Sequence, residues 1–285
     1  MKKVYNAVEE MSKHTPMYHF AELGRKLGLE GDIFGKCEFL NPLGAGRLRV
    51  MAAMLDATAP KAKENDAVII EAGDGNSGLA LAAMCASHGL KGLAIMPEGE
   101  NAAKAELIKY LGCDVILTPQ GEGMHGALAK AEMLAQKSSR AIWLKRFANP
   151  ANVETHLLET SVEIMDDMGG DVDVVAAIAE TGGTLCGIAQ ALKTANAELK
   201  VVAVRPETAG SGDDKMPQPL LEAKLIDEWV DITDDDAWAM AKLTAQTEGV
   251  LLGKRSGAVM AAAVAIAKDK KVNIVTVLDD INPLV

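Results

Sequence analysis

Three short loops carry residues whose types and spacing could do chemistry. The first, Gly73-Asp74-Gly75-Asn76-Ser77-Gly78, follows the apolar run AVIIEA and opens a stretch of small helix-forming residues. Its glycines permit a tight turn, and its backbone amides face the start of the next helix. It matches G-x-G-x-x-G, and Glu98 falls 20 residues after Gly78, where a dinucleotide site places its ribose-binding acid. A plain strand-to-helix turn satisfies the same pattern. The second loop is Thr181-Gly182-Gly183-Thr184. Two glycines at a helix start expose amides to an anion, and two threonines add hydroxyls, which makes a phosphate cup. Glu180 directly precedes it, and a carboxylate there repels a phosphate unless it turns to solvent or meets an arginine. The third, Gly253-Lys254-Arg255-Ser256-Gly257-Ala258, opens another helix, with Ser256 suited to the N-cap.

These loops need elements to position them. Apolar strand-like runs at 67–71, 92–96, 115–117 and 142–144 alternate with helical stretches at 79–88, 102–111 and 126–137. After a break at 147–152 the rhythm resumes. Strands are expected at 172–178, 200–204 and 273–278, with helices at 154–167, 185–195, 234–247 and 256–269. Continuous apolar strands between helices predict parallel sheets covered on both faces, wound by right-handed crossovers. The expected fold is α/β, with two doubly wound parallel-sheet domains. Ligands in such folds lie beyond the carboxyl ends of the strands, here in a cleft between the halves.

Bulk properties narrow the function. With 285 residues and 49% hydrophobic content the chain can bury a large core, and a net charge of -11 excludes a general nucleic-acid binder. The start, MKKVYNAVEEMSKH, lacks the apolar core of a signal peptide, and no run is long enough to cross a membrane. A cytoplasmic location is expected. Cys37, Cys85, Cys113 and Cys186 are widely spaced, without a zinc pattern, and read as buried free thiols.

Taken in order, the segments resemble the cysteine synthase and cystathionine beta-synthase family. HTPMYHFAEL is similar to a start of the type NTPLVRL. NPLGAGRLR at 41–49 resembles NPTGSVKDR, and EAGDGNSG at 71–78 resembles EPTSGNTG. RFANPAN at 146–152, with His156 following, resembles QFENPAN. ETGGTLCG at 180–187 resembles GTGGTITG, and EGVLLGKRSGA at 248–258 resembles EGILVGISSGA. The resemblance implies a fold type II pyridoxal-phosphate (PLP) protein, tryptophan synthase beta subunit-like. It also implies a homodimer that makes cysteine from O-acetylserine and sulfide. It places Asn76 against the cofactor's ring hydroxyl, Thr181, Gly182, Gly183 and Thr184 around its phosphate, and Ser256 at its pyridine nitrogen. It divides the chain into a smaller domain at 41–147 and a larger one from 1–40 plus 148–285.

The departures cluster at the implied site. Arg47 stands where the family has its Schiff-base lysine, so no catalytic residue is retained there. A guanidinium stays protonated and is a poor nucleophile. Asp74 and Ser77 lie in a loop that has lost hydroxyls. Arg146 replaces a glutamine, Glu180 a glycine and Arg255 a serine. Residues 210–221 (GSGDDKMPQPLL) replace a longer glycine-rich segment. Unpaired buried charges are costly, so these groups are expected to pair with one another or with a bound anion, Arg47 meeting Asp74 or Glu180. The expectation is a protein without a covalent cofactor or a metal, which binds a small-molecule or anionic ligand or a partner protein. The alternative is an O-acetylserine sulfhydrylase-type enzyme that holds PLP non-covalently.

Overall fold

The computed structural model describes residues 4–99, 102–207 and 223–281. In chain order the elements begin with β1 (Met17–His19), α1 (Ala21–Leu27) and β2 (Asp32–Cys37). Next come α2 (Arg47–Asp56), α3 (Ala59–Glu64), β3 (Val68–Ala72), α4 (Gly75–His88) and β4 (Lys91–Pro97). They are followed by α5 (Ala102–Tyr110), β5 (Asp114–Thr118), α6 (Gly123–Lys137) and β6 (Ala141–Trp143). The rest are α7 (Ala151–Thr155), α8 (Ser161–Met168), β7 (Val174–Ile178), α9 (Gly183–Ala195), β8 (Lys200–Pro206), β9 (Glu228–Ile232), α10 (Asp234–Glu248), α11 (Lys254–Ala267) and β10 (Asn273–Leu278).

The chain divides into two compact units. One comprises Arg47–Asn152 with the described residues before His14, and the other comprises His14–Gly46 with the described residues from Val153 onward. The N-terminal residues therefore belong with the first unit, not with the larger one: Val8 packs on the first unit's core and Glu9 meets His88 at 2.9 Å.

The first unit holds a four-stranded parallel sheet in the order β5-β4-β3-β6. Successive strand residues point to opposite faces. Ile69, Ala94 and Met96 join a core with α2 and α4, whereas Ile70, Ala72 and Ile95 join Ala127 and Ala131 of α6. The second unit holds a six-stranded sheet, β1-β2-β10-β7-β8-β9. It is parallel except for β1, which pairs antiparallel with β2 at the edge. Val174, Ala176, Val202, Val204 and Ile274 face α10 and α11, and Val175, Ala177, Val201 and Ala203 face α8 and α9. Both faces of both sheets are covered, as the unbroken apolar strands require.

Three helix starts differ from the sequence expectation and matter for the site. α4 begins at Gly75, not at residue 79, because Asp74 caps it, and the whole Gly75–Gly78 stretch lies in its first turn. α11 begins at Lys254 with Gly253 as N-cap, so Ser256 sits inside the first turn and is not the cap. The helical stretch expected at 154–167 is α7 and α8 joined by a π turn at His156–Thr160. Residues 210–221, read from sequence as a shortened segment, lie outside the described residues.

Candidate functional site

In the first unit, the turn after β3 is organised by Asp74. Its Oδ1 accepts from the Ser77 amide at 2.8 Å and from the Ser77 hydroxyl at 2.7 Å. This caps α4 in the usual way of a short acidic side chain. Asn76 turns the other way, its Oδ1 accepting from Lys104 Nζ of α5 at 2.6 Å. Arg47 is the first residue of α2 and is half-buried. The first turn of α2 carries no acidic residue, so Arg47 adds positive charge at the positive end of the helix dipole.

Arg146 is buried, with 2% of its surface exposed, and its guanidinium lies over the Phe147 ring at 4.6 Å. Its acid is Glu71, the last but one residue of β3. The Arg146 amide donates to Glu71 Oε2 at 3.2 Å, and the Ala72 amide donates to Oε1 at 3.1 Å. Burial pushes the Glu71 carboxyl up to about 7, while the Arg146 charge and these two amides pull it down. Glu71 was not singled out from the sequence. The available signal was a carboxylate inside the apolar run AVIIEA, which a buried strand tolerates only with a partner.

In the second unit, the chain leaves β7 through Ala179, Glu180 and Thr181 and turns at Gly182, whose φ of 92° is in the left-handed region that favours glycine. Gly183 and Thr184 begin α9. The Gly183 amide donates to Thr181 Oγ1 at 3.2 Å. Thr184 Oγ1 lies 3.1 Å from His156 Nε2, and His156 Nδ1 lies 3.0 Å from Thr160 Oγ1. The π turn brings this ring close to α9 because residue 187 is glycine. A Cβ at Gly187 would stand 2.5 Å from the Val153 carbonyl oxygen and 2.6 Å from His156 Cβ.

The end of β10 closes the site at the start of α11. Asp280 Oδ1 accepts from the Ser256 amide at 2.7 Å, and Oδ2 accepts from the Arg255 amide at 3.1 Å. The Ser256 hydroxyl donates to the Asp280 carbonyl at 3.0 Å and accepts from the Asp280 amide at 3.1 Å. Burial raises the Asp280 carboxyl above its ordinary value, and the Asp279 charge adds to this. Arg255 bridges two loops. Its Nη2 is 2.7 Å from Glu180 Oε2 and 3.3 Å from Asp279 Oδ2.

Charge pairing is therefore present, and one pair joins two of the substituted positions, Glu180 and Arg255. Glu180, one of the two acids expected for Arg47, holds Arg255, and Asp74, the other, caps α4. Among the described residues no group of three or more His, Cys, Asp or Glu could hold a metal ion, and no helix is long and apolar enough to cross a membrane. All four cysteines are free and buried, and burial pushes Cys37, Cys85 and Cys113 up to about 12.

Two covered parallel sheets with glycine-rich turns at helix starts define a fold type II α/β protein. The structure of a hydrogen sulfide-producing enzyme from Fusobacterium nucleatum superimposes with a TM-score of 0.90 at 28% identity, covering 98% of this chain and 99% of that one. The sequence model described as "Pyridoxal-phosphate dependent enzyme" matches residues 8–280, and the chain belongs to that family. Cysteine synthase B of Campylobacter jejuni is 33% identical over 296 residues, covering 98% of this chain and 96% of that protein. Cysteine synthase A of Salmonella typhi is 33% identical over 304 residues, covering 98% and 93%.

Proposed function

We propose that this chain is a cysteine synthase-like protein that does not make cysteine and instead binds a small anionic ligand at the Thr181–Thr184 turn. The observation that carries the reading is Arg47, at the position where the resemblance puts the Schiff-base lysine. A guanidinium holds its proton and does not condense with an aldehyde. One further group fits the family cofactor poorly. The Ser256 hydroxyl is engaged by the Asp280 backbone as donor and as acceptor, so a ring nitrogen would have to displace the Asp280 carbonyl. The residues present do not fit a covalently held pyridoxal phosphate.

Support for an anion comes from the second unit. Amides at the start of α9 and the Thr181 and Thr184 hydroxyls favour negative charge. Glu180 would oppose it, but Arg255 answers that charge at 2.7 Å. The test is direct. The protein as isolated should show no aldimine absorption and form no cysteine from O-acetylserine and sulfide, and inorganic phosphate should raise its melting temperature. Robust cysteine formation overturns the reading.

A second reading is a pyridoxal-phosphate enzyme of β-replacement type holding its cofactor non-covalently. It is favoured by the residue types kept at Asn76, Thr181, Thr184 and Ser256. Saturable binding of pyridoxal phosphate, together with cysteine synthesis that depends on it, would establish this reading. A homodimer is the expected assembly, and light scattering of the purified protein tests it.

A further inference from the structure

We infer that His156 is a positioning residue, which orients the Thr184 hydroxyl as a hydrogen-bond donor toward an anion at the start of α9. The inference rests on the anion-binding reading above and concerns how that site is polarised.

His156 is 4% exposed and Thr160 fully buried. The ring stands between two hydroxyls, 3.0 Å from Thr160 Oγ1 at Nδ1 and 3.1 Å from Thr184 Oγ1 at Nε2. A neutral imidazole donates from one nitrogen and accepts at the other, and a hydroxyl can do either. Two arrangements therefore satisfy the same distances. In one, Nδ1–H donates to Thr160 and the Thr184 hydroxyl donates to Nε2. The Thr184 hydrogen then points away from the helix start, and only lone pairs remain for a ligand. In the other, the Thr160 hydroxyl donates to Nδ1 and Nε2–H donates to Thr184. The Thr184 hydrogen is then released to donate to an anion. An anion selects the second arrangement, because lone pairs facing negative charge are repulsive.

The local backbone fixes the ring where this choice matters. A π turn is uncommon, and where one occurs it re-aims side chains within a helix. Here it spans His156–Thr160, so both partners of the Nδ1 contact belong to the inserted turn. Gly187 lets that turn lie directly on α9, with the Val153 carbonyl and His156 Cβ inside the space a side chain would need. His156 is thereby held one side chain away from the ligand, acting through Thr184 and not by contact.

The test uses the full chain with inorganic phosphate as probe. With ¹⁵N-labelled histidine, the ring nitrogen carrying the hydrogen is read during a phosphate titration, and the His156 signals are assigned by their loss in His156→Gln. Phosphate saturation should leave the hydrogen on Nε2. By calorimetry, His156→Leu should bind phosphate roughly fivefold more weakly, as loss of the neutral hydrogen bond that polarises the Thr184 hydroxyl predicts. Thr184→Val should lose a similar factor, and the double variant should be no weaker than Thr184→Val alone. His156→Gln, whose amide can still donate to Thr184, should keep most of the affinity. A hydrogen on Nδ1 in the phosphate-saturated protein, or losses that multiply in the double variant, overturns the inference while leaving the anion reading intact. If wild type binds no phosphate, both fall. Should His156→Leu fail to fold, the wild-type nitrogen spectrum still decides.

Discussion

Replacing Arg146 with glutamine, the residue the related motif carries, should produce a destabilisation that depends on pH in a defined direction. Glu71 has a folded-state value of about 7 against an ordinary value of 4.5, raised by burial and held down by Arg146. A carboxyl raised in the fold supports stability fully below its unfolded value, and that support is lost as pH climbs through the folded value. Wild type should therefore lose about 3 kcal/mol between pH 4.5 and about 7, at 1.36 kcal/mol per tenfold in the proton equilibrium. Arg146→Gln removes a cation that lowers the Glu71 value, so the decline continues above pH 7. The gap between variant and wild type should widen by up to about 1.4 kcal/mol per pH unit above neutrality. Between about pH 5 and about pH 9 that is at most ~3 kcal/mol, an upper bound of roughly 6–12 °C in melting temperature for a chain of this size. Thermal unfolding at both pH values measures it. Adding Glu71→Gln to Arg146→Gln should abolish the widening. A gap that is equal at the two pH values, or a widening that survives Glu71→Gln, refutes the reasoning.

Three further outcomes are expected. Gly187→Ala should destabilise by about 2–4 kcal/mol, since its methyl would meet the Val153 carbonyl at 2.5 Å and His156 Cβ at 2.6 Å; calorimetric or denaturant unfolding checks it. Arg47→Lys alone should not form an aldimine with pyridoxal phosphate, whereas combining it with Glu180→Gly should favour cofactor binding by removing the acid beside Thr181; a visible absorption band in the single variant contradicts this. Arg255→Ala should lower stability by about 1–3 kcal/mol and weaken phosphate binding, because Glu180 and Asp279 lose their shared cation; unchanged phosphate affinity would contradict the link between that pair and the turn.

The central strands were legible because each is a continuous apolar run, buried on both faces. β1, with three residues, and β9, where EWVDI mixes charge with bulk at a sheet edge, carry no such signal. The start of α4 was missed for a different reason. Gly75, Asn76 and Ser77 are poor helix formers, and only the Asp74 cap and the packing of that turn make them helical. At the site, the glycine-rich turns and the substituted charges could be read residue by residue, and Glu180 and Arg255 do pair as substituted charges were expected to, but which charge meets which could not be read. Glu180 finds Arg255 across 75 residues, and the Arg146 amide finds Glu71 across another 75. Such pairings are set by strand order, to which one-dimensional spacing is blind. The π turn has no distinct sequence signature, so the His156–Thr184 contact became visible only in three dimensions.

We propose that Arg47 leaves the chain without a covalently held cofactor. Borohydride reduction of the protein as isolated, with no added pyridoxal phosphate, followed by intact mass measurement, tests it most directly. The expected result is a mass equal to that of the unmodified chain and no absorption above the protein band. A stoichiometric pyridoxyl adduct on a single lysine would contradict it.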